Sequence, residues 1–188
     1  MKLSFVRVTK WDQTLDLLNV RNQCRDGMTH TTRLLTEEDQ AKFFANEIVS
    51  GHTYECYLLK DGEAVAGYGL LKRDGDKKWM TAGLARPYRA KHLSRLLISL
   101  ITEVAYADPG IEVWIDVYSD NLALRGDLHA GYEFVDSVRQ PDGRLLHIMK
   151  HRRDRRLGES EAGRLALPDI LTEINEVDAI SRAFYGLR

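Results

Sequence analysis

The stretch Leu84-Ala85-Arg86-Pro87-Tyr88-Arg89-Ala90-Lys91-His92-Leu93-Ser94-Arg95 combines residue types that can hold a phosphate. A strand pattern ends, a short turn follows, and a helix opens on basic or small residues. Free amides at a helix N-terminus, at the positive end of its dipole, attract an anion. Arg89, Lys91 and Arg95 add charge around them, although the same cations could form a solvated helix face. Downstream, Glu112, Trp114, Asp116 and Tyr118 alternate along a strand and so share one face. Asp116 there could receive a proton from an amine, or the face could be polar packing beneath the N-terminal helices. His129 titrates near neutrality when unperturbed, and Asn121 could cap the helix that follows it. His30 and Tyr57 are polar residues available to an acceptor side.

These groups need a scaffold, and the patterning supplies one. A strand over about 2–9 leads to a helix from Trp11, with Leu15, Leu18 and Val20 inward, closed by Asp26-Gly27. Thr36 with Glu37, Glu38 and Asp39 opens a second helix that Gly51 ends, since threonine caps free amides and acids suit the first turn. Strands Tyr54–Leu59 and Ala64–Leu71 are joined by Lys60-Asp61-Gly62-Glu63, and Asp74-Gly75-Asp76 leads to a strand over Trp79–Ala85. Asp-Gly at such places is hairpin chemistry. Residues 89–107 have apolar side chains three and four apart, predicting an amphipathic helix. A strand over Ile111–Tyr118, a short helix over about 121–130 and a hairpin of Tyr132–Val138 with Leu145–Lys150 complete the order β-α-α-β-β-β-α-β-α-β-β. Hairpin-linked strands before a strand–helix–strand crossover predict an α/β fold on a mixed sheet.

Length and charge constrain the rest. The chain has 188 residues, 27 Lys plus Arg against 28 Asp plus Glu, and 44 % apolar residues, which suits one globular body. Near-neutral net charge argues against coating nucleic acid through an overall field. Cys24 and Cys56 are too few for a disulfide scaffold and form no metal-type C-x-x-C pair, so a reducing, cytoplasmic setting is expected and no metal is. No apolar run approaches the roughly 20 residues that span a bilayer. Residues 150–156 carry five Lys or Arg against one Asp, and Leu167, Ile170, Leu171, Ile174, Val177, Ile180 and Phe184 mark a second amphipathic helix beyond them. This divides the chain into a body, 1–150, and a basic linker with a C-terminal helix, 151–188. That helix would pack on the body or pair two copies as a homodimer.

The loop before the long helix resembles the acyl-CoA pyrophosphate loop of the GNAT superfamily of N-acetyltransferases, Gln/Arg-x-x-Gly-x-Gly/Ala. Arg89 takes its first position and Ser94 its last, while His92 stands where glycine is usual. Asn121-Leu122-Ala123-Leu124 and Gly131-Tyr132-Glu133-Phe134 resemble the family's Asn-x-x-Ala … Tyr-x-x-x-Gly-Phe segment. The resemblance covers residues 2–150. It implies acetyl-CoA, or another acyl-CoA, bound in a gap between the fourth and fifth strands against Leu84, Ala85, Arg89, Ala90, Lys91, His92, Leu93, Ser94, Arg95 and Asn121. It also implies direct attack by an amine of a small molecule or protein. A backbone amide at Leu84 or Ala85 would polarise the thioester carbonyl. The family's usual acid is a tyrosine, whose place falls on Asp127 or Leu128. An ionised Asp127 cannot give a proton at pH 7 without a large upward shift, which leaves Tyr118, His129 or unassisted departure of the thiolate. Two other readings stand beside this one. One is a GNAT-like protein that binds little CoA and serves a structural or regulatory role. The other is action on a nucleic acid or a protein bound to it, aided by the basic run.

Overall fold

Alternating apolar residues in the strands and a three-four repeat in the helices give two helical layers on one sheet. The computed structural model describes residues 2–30, 32–49, 53–89, 91 and 93–155. Its elements are β1 (Leu3–Arg7), α1 (Trp11–Cys24), α2 (Glu37–Phe43), β2 (Tyr54–Asp61), β3 (Ala64–Asp74), β4 (Lys77–Leu84), α3 (Leu93–Ala105), β5 (Glu112–Tyr118), α4 (Ala123–His129), β6 (Tyr132–Arg139) and β7 (Leu145–His151). This is the predicted mixed α/β order.

Several boundaries differ from expectation. α1 buries Leu17 as well as Leu18 and Val20, whereas Leu15 is half-buried. Thr36 caps α2 as predicted, accepting from the Asp39 amide at 3.2 Å. That helix stops at Phe43 and continues as one π-turn, Phe44–Ile48. The long helix was expected from 89 but begins at Leu93, because Pro87 sits in a separate 3₁₀ turn, Arg86–Tyr88. β7 runs on to His151, and a last 3₁₀ turn, Arg153–Arg155, follows. His151 is buried, bonded to the Tyr106 hydroxyl and the Ala130 carbonyl at 3.0 Å each. Arg153 donates to the Ile111 carbonyl at 2.7 Å. The basic run therefore starts against the body. The amphipathic pattern beyond it lies outside the described residues.

The sheet has the order β1-β2-β3-β4-β5-β7-β6. Every neighbouring pair is antiparallel except β4 with β5. The hairpin turns place Gly62 and Gly75 at φ of 60° and 61°, where a side chain would be strained. α3 lies on one face, its Leu97 and Ile101 side chains over Gly67 and Gly69. α1 lies on the other, with Cys24 over Gly83.

Pairing between the two central strands is brief. β4 and β5 share only Lys77–Trp79 with Glu112–Trp114. From there β4 stays with β3 to Leu84, and β5 stays with β7 to Tyr118, so the sheet forks. Trp79 and Trp114 close the fork at its base, ring centroids 5.9 Å apart, with the Lys77 ammonium 4.6 Å above the Trp114 ring.

Candidate active site

The fork presents backbone groups that a continuous sheet would consume. The Ala85 amide donates to the Ala66 carbonyl at 2.9 Å and is spent within the β3–β4 ladder. In such a ladder successive residues turn their amides to opposite sides. Leu84 therefore points its amide away from β3, into the fork. Of the two backbone donors expected at this strand end, the geometry favours Leu84.

The loop that follows is tied down by its own basic residue. The Arg89 guanidinium donates to the Leu84 carbonyl at 3.1 Å and to the Gln23 carbonyl at 2.6 Å. The Arg86 amide donates to the Gln23 side chain at 3.3 Å, and the Cys24 thiol to the Leu84 carbonyl at 3.2 Å. Arg89 thus shapes the loop with its side chain, where charge alone suggested that it contacts phosphate. Lys91 is exposed, its ammonium 4.4 Å from the Tyr88 ring centroid. Ala90 and His92 lie outside the described residues. Leu93 is buried and opens α3, whose first turn has no acidic residue. Ser94 packs against Gly126, where an added Cβ would come within 3.1 Å of the Ser94 hydroxyl. The small side chain therefore lets α4 approach the start of α3.

The donor set suits a polyanion. From Asp76 to Glu103 no carboxylate intervenes, while Arg86, Arg89, Lys91 and Arg95 cluster at the strand-to-helix turn. The residues present fit the diphosphate of a CoA thioester. Its amides would come from the first turn of α3, with Lys91 and Arg95 as counter-charges.

Asp116 lies on β5 beyond the paired rungs, on the face toward α1. One carboxylate oxygen accepts the Thr29 hydroxyl at 2.6 Å, and the other lies 2.6 Å from His30 Nε2. Tyr118 shares that face but is buried, with the Arg144 guanidinium 3.5 Å from its ring centroid. His129 is exposed in the last turn of α4, the helix packed with α3 on the opposite face of the sheet. The three side chains singled out for proton transfer are therefore not gathered in one place. Asn121 lies one residue before Leu122, the N-cap of α4; its side-chain oxygen accepts the Ala123 amide at 2.9 Å, while its amide nitrogen reaches the Gly27 carbonyl at 3.1 Å. Tyr57 belongs to the core, stacked on Phe5 and donating to Glu55 at 2.8 Å, so it does not face an acceptor.

Asp127 is the largest departure from the sequence reading. It is 5 % exposed on α4, and burial alone pushes its carboxyl up to about 7. The upward shift required of a proton donor at this position is present.

No family model and no curated protein matches the sequence. Solved structures match its fold. Spermidine N-acetyltransferase from Vibrio cholerae, solved with CoA and spermine, superposes with a TM-score of 0.72 at 11 % identity, covering 83 % of this chain and 98 % of that one. Ribosomal-protein-alanine N-acetyltransferase from Brucella melitensis gives 0.66 at 16 % identity over 78 % and 97 %. An aminoglycoside acetyltransferase solved with coenzyme A gives 0.64 at 17 % over 80 % and 95 %. The chain has the GNAT acetyltransferase fold. Those identities speak for the fold, and the site residues rest on the geometry above. Among the described residues no helix is long and apolar enough to cross a membrane.

Proposed function

We propose that this protein is an N-acyltransferase that moves an acyl group, acetyl in the simplest case, from acyl-CoA to an amine. The fork between β4 and β5, with the Leu84 amide turned into it, carries this reading. Acyl-CoA supplies the thioester carbonyl. The Leu84 amide donates to the oxygen of that carbonyl as it gains charge, a fixed donor that needs no reorganisation during the reaction. The first turn of α3, with Lys91 and Arg95, binds the diphosphate end. Asp127, its carboxyl pushed up to about 7 by burial, hands its proton to the departing sulfur in place of the missing tyrosine; Tyr118 and His129 are then not needed for that role. The acceptor is an amine of a small molecule or protein, as with the polyamine and aminoglycoside enzymes that share the fold.

The deciding experiment is calorimetry with acetyl-CoA on the full chain, followed by thiol release with a primary amine. Binding is expected, and replacing both Lys91 and Arg95 with alanine should weaken it by roughly a hundredfold or more, since charge-assisted contacts to phosphate contribute about 1.5–3 kcal/mol each. A chain with no measurable affinity at millimolar ligand would favour the structural or regulatory reading instead.

A further inference from the structure

Residues 23–30 run across the open end of the fork. On the β4 side, Gln23 and Cys24 hold Arg89 and the Leu84 carbonyl. On the β5 side, Gly27 receives Asn121, and Thr29 and His30 bind Asp116. His30 therefore stands at the same mouth as the Leu84 amide, on the opposite bank.

Both oxygens of Asp116 are engaged, and its side chain is 13 % exposed, whereas the imidazole it holds is 74 % exposed. A carboxylate bound in this way orients a ring and stabilises the charge that the ring acquires. With Nε2 held 2.6 Å from the Asp116 carboxylate, a neutral imidazole that carries its proton on that nitrogen keeps its lone pair on Nδ1. The other charged groups of this segment, Arg25 and Asp26, pair with each other at 3.5 Å. Resting on the acyl-transfer reading, we propose that His30 takes the proton from the attacking amine and that Asp116 is its positioning residue.

The step balances. The acceptor arrives as an ammonium and gives one proton to Nδ1. Its freed electron pair makes the C–N bond to the thioester carbon, the C–S bond breaks, and its electron pair leaves with sulfur. The surplus proton then on nitrogen matches the one that sulfur takes up. Ammonium and thioester become amide, thiol and one proton, which His30 passes to solvent.

The alternative is that His30 only staples the loop to Asp116, and the variants separate the two roles. Thiol release from acetyl-CoA is followed on the full chain with spermidine as the probe acceptor and with water alone. His30→Ala should lower kcat on the order of 10²-fold, with acetyl-CoA affinity unchanged by calorimetry and partial recovery on adding imidazole. His30→Gln can still donate to Asp116 but cannot take the proton, so it should be as slow as His30→Ala. Asp116→Asn should show a smaller loss that imidazole does not repair. Wild-type rates in His30→Gln would overturn the proposal and leave acyl transfer standing. A wild-type chain that binds acetyl-CoA yet releases no thiol with either acceptor would overturn both.

Discussion

A carboxyl placed where water cannot reach it trades stability for a usable proton, and Asp127 does this on α4. Its acidity is shifted to about 7 in the folded protein, against about 3.9 in an unfolded chain. Between those values the native state holds a proton that the unfolded state has released, so stability falls as pH rises from about 4 through about 7. The loss is at most roughly 4 kcal/mol. Asp127→Asn should remove this slope. Urea titrations at pH 5 and pH 8 should differ less in the variant than in the wild type, and the variant should be the more stable at pH 8. The same variant should lose turnover if Asp127 supplies the departing sulfur with its proton, so stability and activity move in opposite directions. Equal pH dependence in the two proteins would mean that the carboxyl is already solvated.

The packing of α3 shows how close an element may come to the sheet. An added Cβ at Gly69 would lie 2.1 Å from Ile101 Cδ1, so either the helix or the isoleucine must move. Gly69→Ala should cost roughly 1–3 kcal/mol, read as a lower urea midpoint, and pairing it with Ile101→Val should recover part of that loss because the two sites touch. Such fits mark the boundary of what sequence discloses. The hairpins of β2, β3 and β4 were legible because Asp61-Gly62 and Asp74-Gly75 act locally, and α3 because its apolar repeat is strong. Its start was misplaced by the loop residues, whose helical periodicity outlasts the helix. The β4–β5 fork was expected only through the family resemblance, since where two distant strands stop pairing has no local signature. Thr29 went unnoticed for the same reason, its partner being 87 residues away. Asp127 was legible as a position, whereas its acidity depends on burial that no spacing displays.

At the scale of the molecule, the seven strands behave as two plates. One holds β1 to β4 and the other β5, β7 and β6; the rungs from Lys77–Trp79 to Glu112–Trp114, the tryptophan pair and a bond from the Tyr132 hydroxyl to the Met80 sulfur join them directly. Further coupling passes through α3, α4 and the segment over the fork. Proteins open in cooperative pieces whose borders fall where contacts are few, and this border runs through the middle of the sheet. Amide hydrogen exchange should therefore resolve two protection classes, one per plate, with the Ala82 and Leu84 amides exchanging faster than those of Thr81 and Gly83 on the same strand. A ligand that fills the fork should merge the classes, and slowed exchange at those two amides would report occupancy without any enzymatic readout. The tryptophan pair then acts as a hinge pin, and loosening it with Trp114→Ala should separate the two melting transitions while leaving each plate's own hydrogen bonds in place.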